Sequence, residues 1–159
     1  MKKGILWAMV FTMVVVGLAA CGGSSNDSPA VPLKSFDALS LDDIKVLTLS
    51  SSNIDGSDNS NNMIPAGTIV VYHTNEGRYG KLLVVQYDYN LTIKWVTYNA
   101  DGSVYSQGDN FVVTATWLMD LDEGVLVGVS SSADFWWEGV DSVTRYFVPE
   151  NGATFAVYK

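Results

Sequence analysis

One cysteine and one histidine occur in the 159 residues, and lysine plus arginine number 9 against 17 aspartates and glutamates. Each shortage excludes something. A single thiol cannot close an intrachain disulfide, and without paired cysteines or a second histidine the common zinc ligand sets cannot be assembled. The acidic excess, a formal charge of −8, repels phosphate backbones and argues against a nucleic-acid partner. It equally disfavours direct docking on anionic lipid head groups. The uncharged run from Gly4 to Ala20 falls short of the roughly 20 apolar residues that span a bilayer. No segment repeats at a fixed period, and neither a phosphate-binding glycine loop nor a dinucleotide fingerprint is present.

What is there begins at the amino terminus. Lys2 and Lys3 precede the apolar stretch Ile5 to Val16, and small residues lead into Cys21. This is the anatomy of a secretory signal, and Leu18-Ala19-Ala20-Cys21 resembles the lipobox of bacterial lipoproteins. The resemblance covers only those four residues. It implies cleavage before Cys21, a diacylglycerol on its thiol and an acylated new amino terminus. Two or more acyl chains, at about 0.8 kcal/mol per buried methylene, hold a soluble domain on a membrane. Gly22 follows the cysteine where an aspartate resembles an inner-membrane retention signal, so the implied address is the cell envelope, and the outer membrane in a Gram-negative source. Loss of Lys2 and Lys3 with residues 1–20 takes the formal charge from −8 to −10.

Residues 21–35, polar and rich in small residues such as serine and glycine, read as a flexible tether from the lipidated cysteine, reaching on the order of 40 Å when extended. Residues 36–159 are enough for one core. Ile44 to Leu49 is expected as a first strand, and Ser50 to Asn62 as a mobile or functional loop. Strands are expected at Gly67 to Thr74, Tyr79 to Asp88 and Asn90 to Asn99. Ser103 to Ser106 is expected to pair back as a hairpin, followed by strands at Asn110 to Met119, Val125 to Val129 and Thr154 to Tyr158. Trp136, Val140, Val143 and Phe147 recur at i, i+4, i+7 and i+11, which predicts one helix near the C-terminus, with Ser132 or Asp134 at its start and Pro149 as its stop. The expected class is mainly β: a single antiparallel β-barrel or sandwich with one short helix near the C-terminus.

Few residues carry a chemical signature. His73 could serve a serine triad only if partners converge in space. Asp120, Asp122 and Glu123 crowd one turn whose ends are fixed by strands, and oxygen donors at that density suit calcium, the one candidate ion; no other cofactor is indicated. Asp55 and Asp58 crowd the polar loop in a similar way. Aromatic faces stack on sugars and anchor protein interfaces. Trp95 and Trp117 fall on the apolar faces of their strands and read as core. Trp137, with Tyr87 and Tyr89 beside the Asp88 turn, supplies the candidate ligand-binding aromatics. Arg78, in the turn Asn75 to Lys81, could meet an anion or pair with a neighbouring acid such as Glu76. These features point to a membrane-anchored envelope lipoprotein acting as a non-enzymatic binding or structural module for a glycan or protein. The alternative is a small hydrolase of envelope or extracellular polymers, which needs two facing carboxylates.

Overall fold

Ile69–His73 reads Ile-Val-Val-Tyr-His, a nearly unbroken apolar run, and Val70, Val71 and Tyr72 are all buried in the structure. A strand can bury successive residues only if both faces of its sheet are covered. The computed structural model, which describes residues 32–159, shows how that happens. In chain order the elements are α1 (Leu41–Lys45), β1 (Ile54–Asp55), β2 (Ile69–His73), β3 (Tyr79–Tyr87), β4 (Leu91–Tyr98), β5 (Val104–Val113), β6 (Leu118–Asp120), β7 (Val125–Val127), β8 (Phe135–Gly139), β9 (Arg145–Pro149) and β10 (Thr154–Val157), with a 3₁₀ turn at Ser130–Ser132. They form two antiparallel five-stranded sheets, β10-β2-β3-β4-β5 and β1-β9-β8-β6-β7. Neither sheet closes on itself, so the domain is not a closed barrel.

One core lies between the sheets. Val70, Tyr72, Leu82, Val84, Ile93, Trp95 and Phe155 from the first sheet meet Ile54, Met119, Phe135, Trp137 and Phe147 from the second. Phe135 and Phe147 stack at 3.9 Å, and Phe155 meets Phe147 edge-on at 4.7 Å. A smaller cluster of Leu39, Ile44 and Val71 covers the other face of β2. The segment carrying α1 is tied there by the buried Lys81, whose ammonium donates to the Leu39 carbonyl at 2.6 Å and to the Phe36 carbonyl.

Three expectations are corrected. No helix forms near the C-terminus: residues 135–149 are the hairpin β8–β9, paired from Phe135↔Pro149 to Gly139↔Arg145. Alternation decides it, since Phe135 and Trp137 on β8 and Phe147 on β9 point inward at period two. The Asp141 carboxylate then accepts the amides of Val143 and Thr144 at 2.8 and 2.7 Å and makes the turn. The short helix lies instead at Leu41–Lys45, where a strand from Ile44 was expected. Ser40 and Asp43 form a capping box there, each side chain bonding the other's backbone amide. The polar loop Ser50 to Asn62 contains β1, which pairs with β9 and buries Ile54. Residues 1–31, which include the signal, Cys21 and most of the tether, lie outside the described residues.

Candidate functional site

The predicted site residues separate along β3. Arg78 stands immediately before its first residue and Tyr87 is its last, about 30 Å apart at the usual strand rise.

At the Arg78 end, two turns meet. The β6–β7 turn carries Asp120, Asp122 and Glu123; the turn between β2 and β3, with Gly77 at φ 88°, carries Thr74, Asn75 and Arg78. Asp134, one residue before β8, joins them. Its carboxylate accepts the Asn75 amide at 2.8 Å and the Leu121 amide at 2.7 Å, one from each turn. Oxygens of Asp120, Asp122 and Asp134 all lie within 4.8 Å of one another, and the three residues are buried. Two of the three predicted calcium ligands therefore converge. Glu123 does not join them: its backbone N–H caps the Asp120 carboxylate at 2.9 Å, while its exposed side chain accepts from the Tyr105 hydroxyl at 3.3 Å. Asp134 completes the cluster in its place.

The electrostatics follow from burial. Desolvation pushes the Asp134 carboxyl up to about 7, against the two amides that favour its charged form and with help from Asp122 and Asp120. Burial likewise raises Asp122, opposed by Thr74 and Arg78. Arg78 approaches Asp122 at 3.3 Å, but its closer partner is Glu76 at 2.6 Å, and its guanidinium lies 3.7 Å over the Tyr105 ring. Apart from these contacts with Arg78 and Thr74, neither oxygen of Asp122 receives a hydrogen bond of good geometry, and the buried Asn75 Oδ1 receives none.

At the Tyr87 end, aromatics gather around Trp137. The sequence places Trp137 at the surface and Trp117 in the core; the structure exchanges them. Trp137 is fully buried and Trp117 is 47 % exposed. The inward alternation of β8 claims Trp137, whereas the chain leaves β5 at Val113 and turns before β6, which frees Trp117 from the strand face assigned to it. Trp137 still organises this end. Its indole N–H donates to the Tyr89 carbonyl and its backbone N–H to the Trp117 carbonyl, both at 3.0 Å. Tyr89 is 52 % exposed. Half-buried Tyr87 donates its hydroxyl to the Gly56 carbonyl at 2.5 Å and accepts from Arg145 at 3.1 Å, whose guanidinium also lies 5.7 Å from the Tyr89 ring.

Comparison with protein-family models, curated proteins and solved structures finds no match. The site must be read on its own chemistry. His73 packs 4.5 Å from the Tyr79 ring, and among the described residues no carboxylate bonds it. A concavity of about 990 Å³ between residues 33–37, the loop at 60–68 and the C-terminal Val157–Lys159 contains none of the predicted site residues. Two carboxylates this close suit a retaining glycosidase only where a sugar can enter between them. Asp120, Asp122 and Asp134 are 4 %, 2 % and 0 % exposed, so this cluster can hold a proton or a small cation but cannot reach a polymer. Asp134 escaped sequence reasoning because an acid before an apolar run reads as a helix cap. The signal that could have found it is the buried setting implied by Ala133 and Phe135 on either side.

Proposed function

We propose that this chain is a lipid-anchored protein of a bacterial cell envelope, in the outer membrane where there are two, and that its β-sandwich domain is a binding or structural module rather than a hydrolase. The observation that carries the reading is the inaccessibility of the converging carboxylates, set against the exposure of Trp117 and Tyr89 at the far end of β3. Acid–base work on a polymer needs a carboxyl within hydrogen-bond reach of the scissile bond. Recognition of a glycan or an envelope protein needs an exposed aromatic surface. Lipidation at Cys21 would keep that surface on the membrane without a transmembrane helix.

The test has two parts. Cys21→Ser should move the protein from the membrane fraction to the soluble one and abolish lipid labelling; unchanged partition defeats the anchor. Glycan-array and envelope-protein binding by the mature protein should be lost in Trp117→Ala or Tyr89→Ala. Cleavage of an envelope polymer that disappears in Asp120→Asn would instead make the protein a hydrolase.

A further inference from the structure

We propose that Asp120, Asp122 and Asp134 form a calcium site that clamps the β6–β7 turn to the start of β8, beside the turn between β2 and β3. The inference goes beyond the binding-module reading and does not depend on the lipid anchor.

The donor set is oxygen only, as a hard cation requires. Calcium bonds oxygens at about 2.3–2.6 Å, so two ligands of one ion sit at most about 5 Å apart. The three carboxylates meet that limit, with their ligand atoms within 4.8 Å of one another. Proximity of acids alone would mean little. The second observation is where the domain leaves buried polar atoms without partners. Among the described residues four buried side-chain atoms lack a well-formed hydrogen bond, and three are acceptors here: both oxygens of Asp122, which has only Arg78 at 3.3 Å and a contact with Thr74, and Oδ1 of Asn75, whose backbone amide bonds Asp134. The Asp122 side chain is 1 % exposed. Buried acceptors short of hydrogen bonds are destabilising, more so when charged, and a cation is the partner that satisfies several at once.

Charge points the same way. Three buried carboxylates face one guanidinium, Arg78, which touches only Asp122 and is held outward by Glu76 and Tyr105. A divalent ion cancels the remaining excess; a buried water would supply donors but no charge. Magnesium fits less well, since it keeps several waters and demands octahedral geometry at shorter distances. The ion would join segments already linked through Asp134, whose carboxylate bonds Asn75 and Leu121. The three ligands belong to one sheet, and Asp134 carries the link to the β2–β3 turn of the other, at the end opposite the aromatic surface.

The experiment uses the mature protein in detergent, stripped with chelator. Trp95 is a built-in antenna: its indole bonds Ser106, whose hydroxyl donates to the Leu121 carbonyl, and its ring lies against Gly124 of the same turn. Terbium should therefore give tryptophan-sensitised luminescence saturating at one equivalent. Calcium should displace it with a Kd on the order of 10⁻⁵–10⁻³ M and raise Tm by at least about 5 °C near saturation. Asp122→Asn, which keeps the side chain's shape and an oxygen able to accept from Thr74 and Arg78, should weaken binding about tenfold or more, and Asp134→Asn likewise, as fewer ligand charges predict, with a cooperative melt of each variant checking that it folds. Arg78→Gln should tighten it, and Asp58→Asn in the exposed loop should change nothing. Absence of both the luminescence and the Tm shift up to ~10 mM calcium, above the weakest extracellular sites, overturns the proposal. So does calcium binding that survives Asp122→Asn and Asp134→Asn.

Discussion

Raising the pH from 5 to 8 in the presence of chelator should destabilise the domain by about 2–3 kcal/mol through Asp134 alone. The carboxyl titrates near its ordinary 3.8 in the unfolded chain and at about 7 in the folded one. Between those values the folded state holds a proton that the unfolded state has released, so stability falls as pH rises, by about 1.4 kcal/mol per pH unit. The stabilisation is complete below the unfolded value and is gone once pH passes the folded one. Asp122, raised by burial, acts in the same sense. The other groups facing the cluster do not reverse it. Arg78 stays charged throughout, and the Tyr72 hydroxyl, pushed up by burial and by Asp134, stays protonated. Asp43, Asp101 and Asp141 have lowered values through hydrogen bonds to their charged forms, so their contributions are lost only in acid below this window.

Urea melts followed by tryptophan fluorescence at pH 5, 6, 7 and 8 should show a midpoint falling by about 1–3 M over the range, given a slope of about 1–3 kcal/mol per molar urea. Asp134→Asn should flatten the dependence, because an amide does not titrate. A wild-type stability that is level or rises from pH 5 to 8 refutes the burial argument for Asp134.

Gly80→Ala should lower stability by about 1–3 kcal/mol in thermal melts, because its Cβ would come within 2.3 Å of the Tyr72 ring, which is fixed by hydrogen bonds to Val96 and Thr97. A neutral result would mean that the ring can move. Trp137→Ala should cost about 3–5 kcal/mol as a buried aromatic truncation, whereas Trp117→Ala should stay within about 0.5 kcal/mol; chemical denaturation of the two variants checks the ranking.

Legibility followed periodicity. Strands β2, β3 and β4 alternate or run apolar between turn residues, and each was readable within a residue or two of its observed ends. The C-terminal hairpin was not, because Trp136, Val140, Val143 and Phe147 satisfy the helical period by coincidence. Burial uses Phe135, Trp137 and Phe147 instead. The helical period puts Trp137 on the side of a helix where a strand's inward face exists, and alternation puts Trp117 on a strand that ends at Val113, which is how the two come to exchange roles. Asp120 and Asp122 were visible because they are close in sequence. Asp134 reaches them only through the folding of β8 beside β6, paired at Leu118↔Trp136 and Met119↔Phe135. No local pattern encodes that approach.

The burial of Trp137 changes how any loss of binding at the aromatic end must be read. Its indole and its amide hold the carbonyls of Tyr89 and Trp117, so it positions both exposed rings without offering a face to a ligand. Its ring also fills the space beside Gly56, where an added Cβ would lie 2.7 Å away, and Gly56 in turn accepts the Tyr87 hydroxyl. Truncating Trp137 would therefore release Tyr87, Tyr89 and Trp117 together and abolish binding through disorder. Trp117→Ala removes only surface. Binding lost in Trp117→Ala at unchanged stability locates the contact; binding lost only in Trp137→Ala reports the scaffold beneath it.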